Sequence, residues 1–294
     1  MTIRKAIITS AGQGTRFLPI TKTIQKEMLP ILNRPIIDHL VTDCISAGIT
    51  EIIFVVNEHN RQVLHFYRTN QRLNDYLNRT GKSHKHLELE KIETQARYQF
   101  VKQYDTDQYG TAVPLKLAKS LIQDEEAFLV LMGDDFLYNP DGQSEVAKMI
   151  EHFEKSQADG LVTCITKPDN ELSQYGIAKV KHENGFKYLE TLVEKPAPGT
   201  APSNLANISK YILTPTILEI IEHQQPNPSS NELYITDSVT ELAKNKSIVI
   251  YEPQGEYLDG GSVAGWLKAN ITVAMNNPEL RQVVVETVEK ISHS

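Results

Sequence analysis

The stretch SAGQGTRFLPITKTIQKEMLP, residues 10–30, directly follows the apolar run at 6–8 and sets the first expectation for the fold. An apolar run that ends in two closely spaced glycines is typical of a buried strand that turns at the edge of a sheet. The backbone N–H groups of such a turn can hold phosphate oxygens, and Arg16 and Lys26 would add positive charge. A glycine turn with solvated cations explains this stretch equally well when it is taken alone.

Two standard nucleotide-binding motifs do not fit the turn. Gly12 and Gly14 resemble the first two glycines of a dinucleotide fingerprint, but Phe17 stands where the third glycine belongs. The spacing is not that of a Walker loop either. The turn therefore predicts a phosphate site only in combination with other parts of the chain.

Short apolar runs alternate with amphipathic stretches over the first half of the chain. The strand-like runs are 4–9, 51–56, 97–103, 127–132 and 160–166, and the helix-like stretches are 35–48, 111–122 and 144–156. Repeated strand–helix–strand units predict an α/β fold with a Rossmann-like, mixed and mostly parallel sheet flanked by helices. Ligands of such sheets bind beyond the carboxyl ends of the strands, where residues 10–16, Gln103 and Asp134 fall.

The pattern changes after about residue 170. The segment YGIAKVKHENGFKYLETLVEKP, residues 175–196, predicts a hairpin with its turn at 183–185. We expect it to form a small lid, followed by helices to the end of the chain. The Pro- and Gly-rich loops at 196–204 and 223–231 are too short to be domain linkers, so a single domain is expected over residues 1–294.

Composition and charge limit the classes of function. The chain has 30 basic and 37 acidic residues and a formal net charge of −7, which argues against a general nucleic-acid or membrane-surface binder. No charged-then-apolar leader and no apolar run near 18 residues is seen, so a cytoplasmic enzyme is expected. Cys44 and Cys164 are predicted to be buried thiols, and the segment at 84–86 a solvated face.

Several segments, in this order and at these separations, resemble the sugar-1-phosphate nucleotidyltransferase family, and within it the bacterial UTP:glucose-1-phosphate uridylyltransferases. They include GQGTRFLPITKTIQKEMLPILNRPII at 12–37, YGTAV at 109–113, LVLMGDD at 129–135, QYGIAKV at 174–180, LVEKP at 192–196, NELYITD at 231–237 and YLDGGSVAGW at 257–266. The resemblance implies condensation of UTP and glucose 1-phosphate to UDP-glucose and pyrophosphate. It assigns nucleotide binding to about 1–170 and sugar-phosphate binding to about 171–294.

The reaction joins two polyanions, so it needs positive charge and positioning more than covalent chemistry. The resemblance implies that Arg16 and Lys26 neutralise the triphosphate and that Lys195 holds the sugar phosphate. It also implies Mg²⁺ as the cofactor, bound by Asp134 and Asp259. Arg16, Lys26, Asp134 and Lys195 are thus the expected catalytic residues.

The resemblance also supplies two sets of binding residues. The nucleotide set is Ala11, Gly12, Gly14, Thr15, Gln103, Gln108 and Gly110. The sugar-phosphate set is Tyr175, Gly176, Glu194, Lys195 and Tyr257, although the two tyrosines fit ordinary aromatic packing equally well. The amide of Gln103 can pair with both the N3–H donor and the O4 acceptor of uracil.

Some positions depart from the family pattern. Gln25 replaces a usual proline, Gln108 a usual glycine, Ser209-Lys210 a usual Gly-Arg pair, and Val263 and Trp266 a usual lysine and tyrosine. Two alternatives therefore stay open: the same chemistry with dTTP or another sugar 1-phosphate, and a catalytically weak regulatory paralogue. Retention of every expected catalytic charge argues against the second. The family leads us to expect a homodimer or homotetramer.

Overall fold

One mixed sheet organises the protein in a computed structural model that describes residues 2–292. The strands are β1 (Lys5–Ser10), β2 (Pro30–Ile31), β3 (Arg34–Pro35), β4 (Glu51–Asn57), β5 (Arg97–Gln103), β6 (Phe128–Met132), β7 (Asp135–Tyr138), β8 (Gly160–Thr166), β9 (Gly176–Glu183), β10 (Phe186–Glu194), β11 (Leu205–Leu213), β12 (Ile248–Tyr251) and β13 (Glu256–Asp259). The helices are α1 (Ile36–Ser46), α2 (Gln62–Tyr67), α3 (Gln71–Arg79), α4 (His86–Thr94), α5 (Val113–Leu117), α6 (Lys119–Ile122), α7 (Glu145–Ser156), α8 (Thr216–His223), α9 (Ile235–Ala243), α10 (Val263–Asn276) and α11 (Pro278–Ser292). Single 3-10 turns lie at Thr15–Phe17, Ile20–Lys22, Lys26–Met28, Ser83–Lys85 and Leu172–Gln174.

The main sheet has the order β5-β4-β1-β6-β11-β8-β12-β10-β9. Its first four strands are parallel to one another, and β8 and β12 also run parallel. Strand β11 is antiparallel to both of its main neighbours, β6 and β8. Strands β7 and β13 form a separate antiparallel pair. The fold is therefore the expected α/β class with a mixed sheet.

Helices cover both faces of the sheet, which explains why its central strands are apolar throughout rather than alternating. One hydrophobic core packs α5, α6, α8 and α9 against the sheet, and the other packs α1, α2 and α7 against the opposite face. Cys44 and Cys164 are buried free thiols in these cores, as predicted. Among the described residues, no helix is long and apolar enough to cross a membrane.

The first-half strand predictions are confirmed. Strands β5 and β8 have the predicted bounds, β4 and β6 differ from their predictions by one residue at one end, and β1 is shifted by one residue. The predicted helix at 111–122 is interrupted at Ala118, which separates α5 from α6. Because β1, β4, β5 and β6 are parallel and in register, their carboxyl ends form one edge.

The second half of the chain differs from its prediction. The hairpin of β9 and β10 is present, with Asn184 and Gly185 at φ 51° and 82°, a turn that suits the twist of paired strands. It is, however, continuous with the main sheet through β12. Helices alone do not complete the chain, since β11 lies in the middle of the sheet and β12 adds a further strand. The alternating pattern did not reveal β11 because its nine residues are almost all buried.

A buried ion pair fixes the small β7–β13 sheet to the main one. Lys210 of β11 is 1% exposed and its ammonium group donates to Asp135, the first residue of β7. Ser209, directly before it, has φ 54° and interrupts the β11–β8 register. The bulge thus turns a lysine into the interior, where a charge requires a partner.

We expect Lys210→Met to lower the free energy of unfolding by about 3–5 kcal/mol, because it leaves the Asp135 carboxylate buried without its cation. Urea denaturation followed by circular dichroism measures this loss. Adding Asp135→Asn should recover part of it, since no charge then remains buried. Lys244→Met is the control, because Lys244 and its partner Glu241 are exposed. Equal losses in Lys210→Met and Lys244→Met would contradict the role of the pair.

Candidate active site

A cleft of about 410 Å³ opens at the carboxyl edge of the parallel strands. It is lined by Gly12, Gln13, Gly14, Thr15, Arg16, Lys26, Tyr109, Asp134 and Gly261. A second hollow adjoins it and is lined by Thr9, Ala11, Gly12, Lys26, Glu27, Gln103, Tyr109, Gly110, Thr111, Pro114, Met132, Asp134 and Glu232. Gly12, Lys26, Tyr109 and Asp134 belong to both, so the two form one continuous cleft. It brings together the expected catalytic residues of the first half and most of the expected nucleotide set.

Lys26 and Asp134 form an ion pair inside the cleft, with 2.5 Å between Nζ and Oδ2. Burial lowers the pKa of the Lys26 ammonium, but the nearby Asp134 and Glu27 carboxylates outweigh it and the pKa is raised. Burial likewise raises the pKa of Asp134, yet Lys26 outweighs it and the pKa is lowered. Both side chains are therefore charged at neutral pH. Arg16 lies on the rim of the same cleft.

Asp134 and Asp259 face one another across Gly261. A Cβ atom built on Gly261 would lie 2.8 Å from Asp134 Oδ2 and 3.1 Å from Asp259 Oδ1. Asp259 is held in place because Gly261 N–H donates to its Oδ1 at 2.8 Å and the Ser262 hydroxyl to its Oδ2 at 3.2 Å. Two carboxylates beside a position that only glycine leaves open form a donor set that suits a hard divalent cation.

Asp135 and Tyr257 lie behind this pair rather than in the lining of the cleft. The Tyr257 hydroxyl donates to Asp135 Oδ2 at 3.2 Å, and Lys210 contacts the other oxygen. Burial, only partly offset by Lys210, raises the pKa of Asp135 to about 6. Burial and the Asp135 charge raise the pKa of Tyr257 well above its ordinary value. The half-buried Tyr257 thus contacts Asp135.

In the second hollow, Gln103 is 7% exposed and is one of the lining residues. Gly110 also lines it, with φ 129°, and a Cβ atom there would lie 2.3 Å from the Leu233 carbonyl oxygen. Gln108 is absent from the lining. Its side-chain amide donates instead to the Asn231 carbonyl at 2.7 Å, so this side chain points away from the hollow.

Four of the residues expected to bind the sugar phosphate lie together at the start of β9 and the end of β10. Glu194 pairs with Gly176 across the hairpin, and a Cβ atom on Gly176 would lie 3.1 Å from Glu194 Oε2. Lys195 follows with φ 44°, and its N–H donates to the Tyr175 carbonyl at 3.0 Å. Burial raises the pKa of Glu194, and Lys195 opposes that shift. None of these four residues lines the main cleft, although Tyr175 is close enough to Tyr257 to raise the pKa of its phenol.

Nine lining residues were not among those expected from the sequence. They are Thr9, Gln13, Glu27, Tyr109, Thr111, Pro114, Met132, Glu232 and Gly261. Each of them lies inside or beside a motif quoted above, so the motifs could have pointed to these positions. Tyr109 is half exposed and belongs to both parts of the cleft, and Glu27 is 1% exposed beside Lys26.

Comparison with known proteins assigns the family. The pattern of the nucleotidyl transferase family matches residues 5–276. The chain belongs to this family. The nucleotidyltransferase is 35% identical over 283 residues to the UTP–glucose-1-phosphate uridylyltransferase of Streptococcus pneumoniae, covering 95% of this chain and 93% of that protein. It is 34% identical over 286 residues to UTP–glucose-1-phosphate uridylyltransferase 2 of Streptococcus pyogenes, with the same two coverages.

Solved structures agree with this assignment. The UTP-bound enzyme from Acinetobacter baumannii superposes with a TM-score of 0.87 at 30% identity, covering 98% of this chain and 99% of that one. A UDP-glucose pyrophosphorylase complexed with UDP-glucose has a TM-score of 0.81 at 32% identity, covering 94% and 100%. The nucleotidyltransferase therefore shares both fold and extent with these enzymes.

Glu27 makes stability depend on pH. Burial, opposed in part by Lys26, raises the pKa of its carboxyl from 4.5 to about 7. Between these values the folded state keeps a proton that the unfolded state loses, so stability falls as pH rises. Glu27→Gln removes this pH dependence. The free energy of unfolding of the variant, relative to that of the parent, should therefore rise by about 2–3 kcal/mol from pH 5 to pH 8. Urea denaturation at each pH measures it.

The control for this measurement is Glu154→Gln, at an exposed position of α7. Its stability relative to the parent is expected to stay constant over the same range. A Glu27→Gln difference that is also flat would show that Glu27 is ionised in the folded protein.

Proposed function

We propose that this nucleotidyltransferase condenses UTP and glucose 1-phosphate to UDP-glucose and pyrophosphate. The observation that carries the proposal is the continuous cleft, in which a glycine-rich turn, Lys26, Asp134 and the Gln103 hollow adjoin one another. Relatives of similar length that are named for this reaction support it. The same chemistry with dTTP or another sugar 1-phosphate is the second candidate, favoured by the departures from the family pattern.

The reaction is an in-line displacement at phosphorus. An oxygen of glucose 1-phosphate attacks the α-phosphorus of UTP, a new P–O bond forms, and the bond to the β-phosphate oxygen breaks as pyrophosphate leaves. No covalent enzyme intermediate is needed. The N–H groups of the turn at 12–15, together with Arg16 and Lys26, hold the triphosphate and neutralise charge that grows on the leaving group.

We infer that Lys195 binds the phosphate of the sugar and that Glu194 accepts its hydroxyl groups. The raised pKa of Glu194 and its contact with Gly176 fit a carboxyl that faces a sugar ring instead of bulk water. Because Lys195 is separate from the Lys26–Asp134 pair, the two cations serve different polyanions. Binding each one in a fixed orientation supplies much of the rate enhancement.

The family generally works with a divalent metal ion. We propose Mg²⁺ as that ion and Asp134 and Asp259 as the residues that hold it, since their oxygens face one another across Gly261. The bound ion would neutralise phosphate oxygens and help pyrophosphate depart. Lys26, now paired with Asp134, is free to contact phosphate when that carboxylate binds the cation.

We further propose a cytoplasmic homodimer or homotetramer with no nucleic-acid partner. Helix α10 supports self-association, because Val263, Leu267 and Ile271 recur on one helical face and are 46–56% exposed. The net charge of −7 supports the absence of a nucleic-acid partner.

We expect Asp134→Asn to reduce kcat at least ~100-fold, because the metal loses a carboxylate that stabilises transition-state charge. Pyrophosphate release at saturating Mg²⁺ measures kcat, and circular dichroism checks folding. Asp124→Asn, at an exposed position after α6, is the control and should keep parental turnover. Parental turnover in folded Asp134→Asn would remove Asp134 from the metal site.

Substrate choice is tested by measuring kcat/KM with UTP, dTTP and CTP. We expect kcat/KM to be much higher for UTP than for CTP. The kcat/KM for dTTP should be lower than that for UTP by only ~1–3 kcal/mol, because an extra methyl group changes the binding free energy in a pocket by little. Gln103→Ala should lower kcat/KM for UTP by ~1–3 kcal/mol, the cost of unpaired base groups. A preference for dTTP in the parent protein would favour the second candidate.

Two variants serve as controls for Gln103→Ala. Gln99→Ala lies on the same strand, where its amide contacts Glu51, and should leave kcat/KM unchanged. Gln108→Gly should also have little effect, because the Gln108 amide bonds to the Asn231 carbonyl outside the hollow. If Gln103→Ala behaves like Gln99→Ala, Gln103 does not read the base.

A further inference from the structure

The loops after β4 and β5 bring three metal-ligating side chains together outside the cleft. Glu58 and His59 follow β4, and Asp105 lies two residues beyond β5. His59 Nε2 is 3.9 Å from Glu58 Oε1 and 3.8 Å from Asp105 Oδ2. All three residues place a ligand atom within 4.8 Å of the others. Neither the expected catalytic residues nor the expected metal carboxylates belong to this group.

Neighbouring polar groups hold the three side chains in this arrangement. The Asn57 amide donates to Asp105 Oδ1 at 3.1 Å, which leaves Oδ2 turned toward His59. The N–H of Asp105 donates to Glu58 Oε1 at 3.2 Å, and the N–H of His59 donates to Asn57 Oδ1 at 3.0 Å. Supporting hydrogen bonds of this kind orient the ligands of protein metal sites.

The two carboxylates lack a fixed positive partner. Over residues 2–292, neither Glu58 nor Asp105 has a lysine or arginine nitrogen within 4.0 Å, and each pairs only with His59. Two like charges on adjacent loops repel one another unless a cation lies between them. A divalent cation would remove this repulsion.

We propose that Glu58, His59 and Asp105 form a binding site for a late first-row divalent cation, with Zn²⁺ as the ion to test. Zinc binds imidazole nitrogen and carboxylate oxygen at about 2.0–2.2 Å, so tetrahedral ligands lie ~3.4 Å apart. The present separations require each side chain to move by ~0.5 Å, which is easy because His59 and Asp105 are 77% and 59% exposed. Water completes the coordination. An imidazole ligand disfavours Mg²⁺, which prefers oxygen alone.

The site adjoins the base end of the cleft. The Glu58 N–H donates to the Gln103 carbonyl at 3.0 Å, and Asn57 is the register partner of Gln103. A cation held between Glu58 and Asp105 would therefore link the loops that follow β4 and β5. Binding should raise the thermal midpoint of the folded protein in proportion to occupancy.

The experiment is calorimetric titration of the full chain with ZnCl₂ in excess Mg²⁺, which occupies the Asp134–Asp259 site. The parent protein should bind one Zn²⁺ equivalent in addition, and His59→Ala should weaken this binding at least tenfold. His84→Ala, at another exposed histidine, is the control and should bind as the parent does.

Thermal unfolding gives an independent readout. Zn²⁺ should raise the midpoint of the parent and of His84→Ala, but not of His59→Ala or Asp105→Asn. Both altered side chains are exposed, so the variants are expected to fold. Absence of Zn²⁺ binding by the parent, or parental affinity in His59→Ala, would overturn the proposal.

Discussion

The buried contact between Lys210 and Asp135 is the constraint on which the site depends. Burying a charge pair costs free energy, and removing one of its partners costs still more. The two residues must therefore lie next to each other in the folded protein. Lys210 belongs to β11, in the centre of the main sheet, whereas Asp135 begins β7. Because Asp135 is also the register partner of Asp259, this one contact determines where β13 and its aspartate lie.

The same contact places the adjacent carboxylates of Asp134 and Asp135 in different environments. Neighbours along an extended chain point to opposite sides. Asp135 faces inward to Lys210 and keeps a raised pKa, whereas Asp134 faces the cleft, pairs with Lys26 and keeps a lowered pKa. Each acid thus has its own lysine, from a different part of the chain. Asp134 stays ionised and partly exposed to the cleft, which suits the cation ligand that we propose, whereas Asp135 is buried against Lys210.

The sequence predicted those features that depend on local pattern. Strand β8 is rich in β-branched residues, and β5 carries Tyr98, Phe100 and Val101 at alternate or adjacent positions. The parallel arrangement of the first-half strands then follows from the helices between them. The position of β11 was not predictable in this way, because its insertion between β6 and β8 depends on contacts distant in sequence. The sequence did not predict the direction of side chains either. The Gln108 amide donates to the Asn231 carbonyl, and the Tyr257 hydroxyl donates to Asp135.

The departure at Gln25 shows how local contacts can replace a missing family residue. Gln25 has φ −62°, the value that a proline would impose, so the backbone that leads to Lys26 keeps the same direction. A glutamine has an N–H that proline lacks, and this group needs a partner. Gln62 provides it, accepting from Gln25 N at 2.9 Å while its own amide donates to the Thr23 carbonyl at 2.6 Å. The hydrogen bonds of Gln62 in α2 thus hold the backbone before Lys26 in the conformation that a proline would impose. Lys26 still pairs with Asp134.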